Sequence, residues 1–211
     1  MVGCASHRLN LSVQKYLDDY TFITDPIRNI MISFRTIKNR AALKKKTQLS
    51  PVLDNVTRWS SKFDMLKRYS QLQEFITDNV PVHLQLSPID NVTVQTLLKN
   101  MSQLENLTKF LQSEERHIYE VREVFDKAIE LFDCLNHHCA KDAAIICDPE
   151  FEAVVCTIQQ LQMCRLPLKL SATEARYVKH LKIQQVVADA DSSIRSLVLM
   201  IWTQWLQFRK M

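Results

Sequence analysis

A single glycine, Gly3, stands in a chain of 211 residues, where average usage of roughly 7% would supply about fifteen. Turns with positive φ and loops that let backbone approach a phosphate both depend on glycine. The dinucleotide fingerprint and the phosphate-binding P-loop are therefore excluded together, and helices become the default. The length suits one large domain or two small ones and can bury a core. At 46% hydrophobic and 24% charged residues, the composition is that of an ordinary soluble domain. The first residues are followed at once by Asn10, Ser12, Gln14 and Lys15, so no signal peptide is expected. The six cysteines Cys4, Cys134, Cys139, Cys147, Cys156 and Cys164 are accordingly read as reduced thiols inside a cell. The longest apolar run, residues 197–202, falls far short of the roughly 20 residues that span a bilayer.

Apolar residues recur at intervals of three and four along most of the chain. A first helix is predicted over 6–19, with Leu9, Val13, Tyr16, Leu17 and Tyr20 on one stripe. Asp25 as N-cap and Pro26 in the first turn predict a second helix running to Lys46, with Ile27, Ile30, Met31, Phe34, Ile37 and Ala41 inward. Arg28, Arg35 and Lys38 fall off that stripe, and Lys44, Lys45 and Lys46 end the helix where cations suit its dipole. After a polar connector, a helix over 58–78 carries Trp59, Phe63, Leu66, Leu72 and Ile76 inward. Ser87 and Asp90 around Pro88 start a helix through Leu111, with Leu97, Leu98, Met101, Leu104, Thr108 and Leu111 as its stripe. A heptad-like seam of Ile118, Val121, Phe125, Ala128, Phe132 and Leu135 predicts an antiparallel helical hairpin. Asp148 with Pro149, and Ser171 with Glu174, mark two further starts, and a last helix is predicted over 192–208. The fold class is mainly α, a helical bundle.

The net charge of +4 is unevenly spread: residues 28–68 hold eleven Lys or Arg against Asp54 and Asp64, a local excess of +9 that leaves −5 elsewhere. A phosphate-facing surface has this character, and so does a solvated helix face. Arg58 beside Trp59 suits base stacking with phosphate capture; Trp59 equally lies on an apolar stripe and fits a core. Cys4 and His7, and the group Cys134, His137, His138 and Cys139, have metal-ligating chemistry, but neither supplies four convergent zinc ligands. No metal and no cofactor is expected. Asp18 with Asp19 and Glu114 with Glu115 are adjacent acids that diverge around a helix, so no general acid–base pair stands out.

In order, these residues resemble the hAT transposase superfamily. Cys4-Ala-Ser-His7-Arg-Leu-Asn-Leu is similar to that family's Cys-x-x-His helix, and Thr57-Arg58-Trp59-Ser60-Ser61 to its Arg-Trp segment, with a long basic-ended helix between them. The stretches 108–112, 121–126 and 148–152 look like the family's helical insertion. The resemblance implies an RNase H-like transposase whose central sheet is largely missing here. It divides the chain into 1–80, the Cys-x-x-His helix, basic helix and Arg-Trp segment; 81–188, the insertion-like region; and 189–211, a divergent C-terminal helix. It further implies Cys4 and His7 near the family's catalytic pocket, Trp59 on a base at the element end, and Arg58 with the basic helix on phosphate.

Family members cut DNA with two Asp and one Glu that hold divalent metal. No counterpart of the two Asp stands before Cys4, and residues 189–211 show no pattern that carries the Glu. Two-metal cleavage needs all three, so the expectation is a transposon-derived, catalytically inactive, nuclear protein. A weak, salt-sensitive affinity for DNA is assigned to Arg28, Arg35, Lys38, Arg40, Lys44, Lys45, Lys46, Arg58 and Trp59. The rivals are a helical module that binds another protein, such as a full-length transposase or a second copy, and an unstable degenerate product. No membrane and no small-molecule substrate is expected.

Overall fold

The computed structural model describes residues 4–55, 58–113, 117–164 and 169–178. Among the described residues 76% are helical and none lies in a strand, so the mainly α class holds. Contacts divide the chain into two compact units, Met1–Ser12 with Lys109–Met211, and Val13–Thr108. The boundary expected at residue 80 falls inside the second of these.

In the first unit, the opening turns of α1 (Ala5–Asp18) join α7 (Ile118–Leu131), α8 (Asn136–Cys139), α9 (Pro149–Met163) and α10 (Ala172–Val178). The seam helix α7 packs on α9, burying Val124, Phe125, Ala128, Val154, Val155 and Ile158. Only Phe125, Ala128 and Leu135 of the expected heptad positions are fully buried, because the inward face of α7 also carries charge. Arg122 donates to Glu152 Oε1 at 2.9 Å and to Asp126 Oδ1 at 2.9 and 2.6 Å. Arg8 reaches the other oxygen of Glu152 at 3.2 Å and the carbonyls of His138 and Ala140 at 2.7 and 3.0 Å. Gln159 completes the network on Asp126 Oδ2 at 3.0 Å. Both guanidiniums also lie over the Phe125 ring. Such a network is tolerable in a core because each charge meets an opposite charge and hydrogen bonds. As expected, Asp148 caps α9 by accepting from Phe151 N at 3.0 Å, and Ser171 and Glu174 exchange bonds at the start of α10. The helix expected over 192–208 lies outside the described residues.

The second unit holds the rest of α1, then α2 (Thr21–Ser33), α3 (Ile37–Lys46), α4 (Trp59–Gln71), α5 (Gln73–Asn79) and α6 (Pro88–Leu111) up to Thr108. Its core includes Ile27, Met31, Phe34, Phe63, Leu66, Leu72, Ile76, Leu97 and Met101. α6 starts at Ser87 and Asp90 as expected, with Asp90 N donating to Ser87 Oγ at 3.1 Å.

Two features differ from the pattern that periodicity predicts. α2 begins at Thr21, so Pro26 lies inside it instead of opening it. One ladder bond is forgone there, and the burial of Ile23 and Thr24 ahead of the proline draws the earlier turn into the helix. The single helix expected through Lys46 is broken at residues 34–36. The Ser33 carbonyl, which a continuous helix would offer to Ile37 N, accepts instead from Thr36 N, Thr36 Oγ1 and Asn39 Nδ2. This is the local competition by which Thr and Asn side chains end helices. The break resets the phase, so Ile37 is 91% exposed and Leu43 is the inward residue of α3.

Candidate nucleic-acid interface

α3 reads Ile-Lys-Asn-Arg-Ala-Ala-Leu-Lys-Lys-Lys and contains no acidic residue. Leu43 is buried and sets which side faces the unit's core. Lys46 fastens the helix end, donating to Asp78 Oδ2 at 3.0 Å and lying over the Phe75 ring at 5.9 Å. The other cations are differently placed. Lys38, Arg40, Lys44 and Lys45 are exposed, and none has an ion-pair partner among the described residues. Arg35, in the turn before α3, is likewise exposed and without such a partner among the described residues.

Three further expected residues separate from this face by their contacts. Arg28 is tied to Asp54 through Nε at 2.8 Å, so its charge is compensated within the unit. Arg58 is exposed at the N-cap of α4, where its carbonyl accepts from Ser61 Oγ at 2.7 Å. Trp59 is 4% exposed, with its ring centroid 6.1 Å from that of Phe63. An indole in that position fills core volume and offers no face to a base, which corrects its assignment to base stacking. Its membership of the apolar stripe outweighs its neighbour Arg58, because burial of so large a ring is strongly favourable. Thr57 lies outside the described residues.

Cys4 and His7 are both exposed at the start of α1, where the Cys4 carbonyl accepts from His7 N and Arg8 N at 3.0 Å. In the second Cys/His group, Cys139 is buried and His137 exposed. The half-buried His138 ring lies 3.4 Å from Ser12 Oγ. Among the described residues, no group of three or more His, Cys, Asp or Glu is placed to hold a metal ion. Burial pushes the Cys139 thiol up, against the opposing pull of Ser12, Arg8 and Arg122, which makes it a poor nucleophile. All six cysteines are free, and no described helix is long and apolar enough to cross a membrane.

α3 and the segment that holds it fall within the stretch that a family model matches. Residues 2–104 match the family model of the ZBED1 RNase-like helical domain. The matched stretch is just under half of the chain and takes in the Cys-x-x-His turn, the basic helix and the Arg58-Trp59 segment. The insertion-like stretches between residues 108 and 152 lie beyond it. No curated protein and no solved structure matches the chain significantly.

Arg8, Arg122 and Glu152 form a buried, multiply bonded polar group in the first unit, of which sequence spacing gives no sign. Arg8 and Glu152 are 144 positions apart, and only their place inside family-like stretches marks them at all. Ile37 was likewise placed inward by a period that the break at residue 34 interrupts.

Proposed function

We propose that this chain is a transposase-derived nuclear protein that no longer cuts DNA and holds nucleic-acid phosphate on α3. The observation that carries the proposal is the group Lys38, Arg40, Lys44 and Lys45, exposed on a helix without an acid, with Arg35 beside it. Solvated cations of this kind release condensed counterions on meeting a polyphosphate, and the affinity is then steep in salt. The likeness of residues 2–104 to the ZBED1 RNase-like helical domain supports descent from a transposase. The loss of cleavage is part of the same reading and has its own test below. It gains support from Asp126 and Glu152, which are held by arginines in a manner that ties them to packing.

The test is a salt titration of the full chain on a plain DNA duplex, beside Lys44→Ala/Lys45→Ala. Log affinity should fall linearly with log salt, and the double variant should flatten the slope by about 2 if each lysine meets one phosphate. Equal slopes for parent and variant would remove α3 from the interface. Incubation with supercoiled plasmid and Mg²⁺ or Mn²⁺ should leave the plasmid intact; nicking that survives purification to homogeneity would restore an enzyme.

A second reading, association with a helical partner or with a transposase, draws on a different surface. Val82, Leu84, Ile89 and Val92 are all exposed, Val82 at 84% and Ile89 at 79%, within eleven consecutive positions of the second unit. Sedimentation of the chain against Val82→Asp/Ile89→Asp separates the readings, because self-association lost in the variant with DNA affinity intact assigns this patch to protein contact.

A further inference from the structure

The distribution of side chains around α3 says more than its charge does. At about 100° per residue, Ile37 and Ala41 form one line along the exposed side of the helix. Arg40 and Lys44 lie roughly 80° and 40° to one side of that line, and Lys38 and Lys45 roughly 80° and 60° to the other. Both flanks are exposed, and so are both members of the central line. Leu43, on the far side, is buried and prevents the helix from rotating this line inward. Lys46 is occupied by Asp78 and stands apart from either flank. The result is an uncharged ridge between two cationic ridges.

Building on the proposal that α3 holds nucleic-acid phosphate, we infer that this helix enters the major groove of duplex DNA. Ile37 and Ala41 then lie against base edges, with the two cationic ridges on the phosphates of opposite strands. The dimensions agree: ten residues make a rod about 15 Å long and 10–12 Å across, and the B-form major groove is about 12 Å wide. At 91% exposure, Ile37 is the most exposed of the large apolar side chains among the described residues. An aliphatic side chain at the floor of the groove meets one group of matching chemistry, the C5 methyl of thymine. The occupant is B-form DNA and not duplex RNA, whose major groove is too deep and narrow for side chains to read. A membrane surface fits poorly, since Ile37 is the one large apolar side chain on the exposed arc of α3 and amphipathic binding needs a broad apolar face.

The experiment uses the full chain and three duplexes of one sequence: thymine-containing DNA, the same DNA with deoxyuridine for every thymidine, and RNA. The parent should bind thymine DNA roughly three- to fourfold more tightly than uracil DNA for one buried methyl. Ile37→Ala should erase that preference and leave the salt slope as it was. Because Ile37 is solvent-exposed, its replacement leaves the fold intact, which a melting curve checks. A parent that binds with a steep salt slope but treats thymine and uracil alike would overturn groove entry and leave phosphate binding standing. So would a thymine preference that persists in Ile37→Ala, or tighter binding of the RNA duplex. Failure to bind any duplex at low salt would remove both readings.

Discussion

At the scale of single residues, burial decides which side chains are available for chemistry. Trp59 sits against Phe63 in the core, so Trp59→Ala should lower the unfolding free energy by about 3–5 kcal/mol in urea titration. A loss below about 1 kcal/mol would return the indole to the surface. Tyr69 is the other informative aromatic. Its hydroxyl donates to Asn91 Oδ1 at 2.9 Å, and burial, reinforced by Asp90, pushes its pKa up to about 12. The folded state thus favours the neutral phenol. Its contribution to stability is complete below pH 10 and is lost as pH rises from there through about 12. Phenolate absorbance during alkaline titration should contain a late-titrating component that disappears in Tyr69→Phe. Much of the candidate face was readable at this scale: Lys38, Arg40, Lys44 and Lys45 needed only composition and charge to be noticed. The exposure of Ile37 and the burial of Trp59 were not readable, because an apolar residue on a stripe carries no mark of whether its helix keeps phase.

Helix starts were legible wherever a short polar side chain meets a backbone N–H within three positions. Asp148, Ser87 and Ser171 each do so, and the geometry involved is purely local. Asp148→Ala should therefore cost about 1 kcal/mol by loss of the α9 cap, read as a shift in the urea midpoint at constant slope. Helix breaks were less legible. The interruption at residues 34–36 depends on Thr36 and Asn39 both turning to one carbonyl, and residues of those types sit in uninterrupted helices as well. The burial of Phe34 against Phe75, ring centroids 5.4 Å apart, holds the turn from a distance that periodicity does not register. That break also gives α3 the orientation on which the proposed groove contact depends, since a continuous helix would have turned Ile37 inward.

For the chain as a whole, the least legible feature is the charged core of the first unit. Removing the carboxylate in Glu152→Ala leaves Arg8 and Arg122 without their shared partner at side-chain exposures of 8% and 1%. A destabilisation of about 3–5 kcal/mol is expected, measurable by denaturant titration; a change under 1 kcal/mol would mean that water or other groups satisfy both arginines. The triple replacement of Arg8, Arg122 and Glu152 by apolar residues of similar volume should recover most of the loss. The same network has a consequence in time. Arg8 leaves the ribosome 144 positions ahead of the carboxylate it needs, and at about 5–20 residues per second that is on the order of ten seconds. Until Glu152 emerges the Arg8 guanidinium stays hydrated, so the contacts that join α1, α7 and α9 close only at the end of that interval.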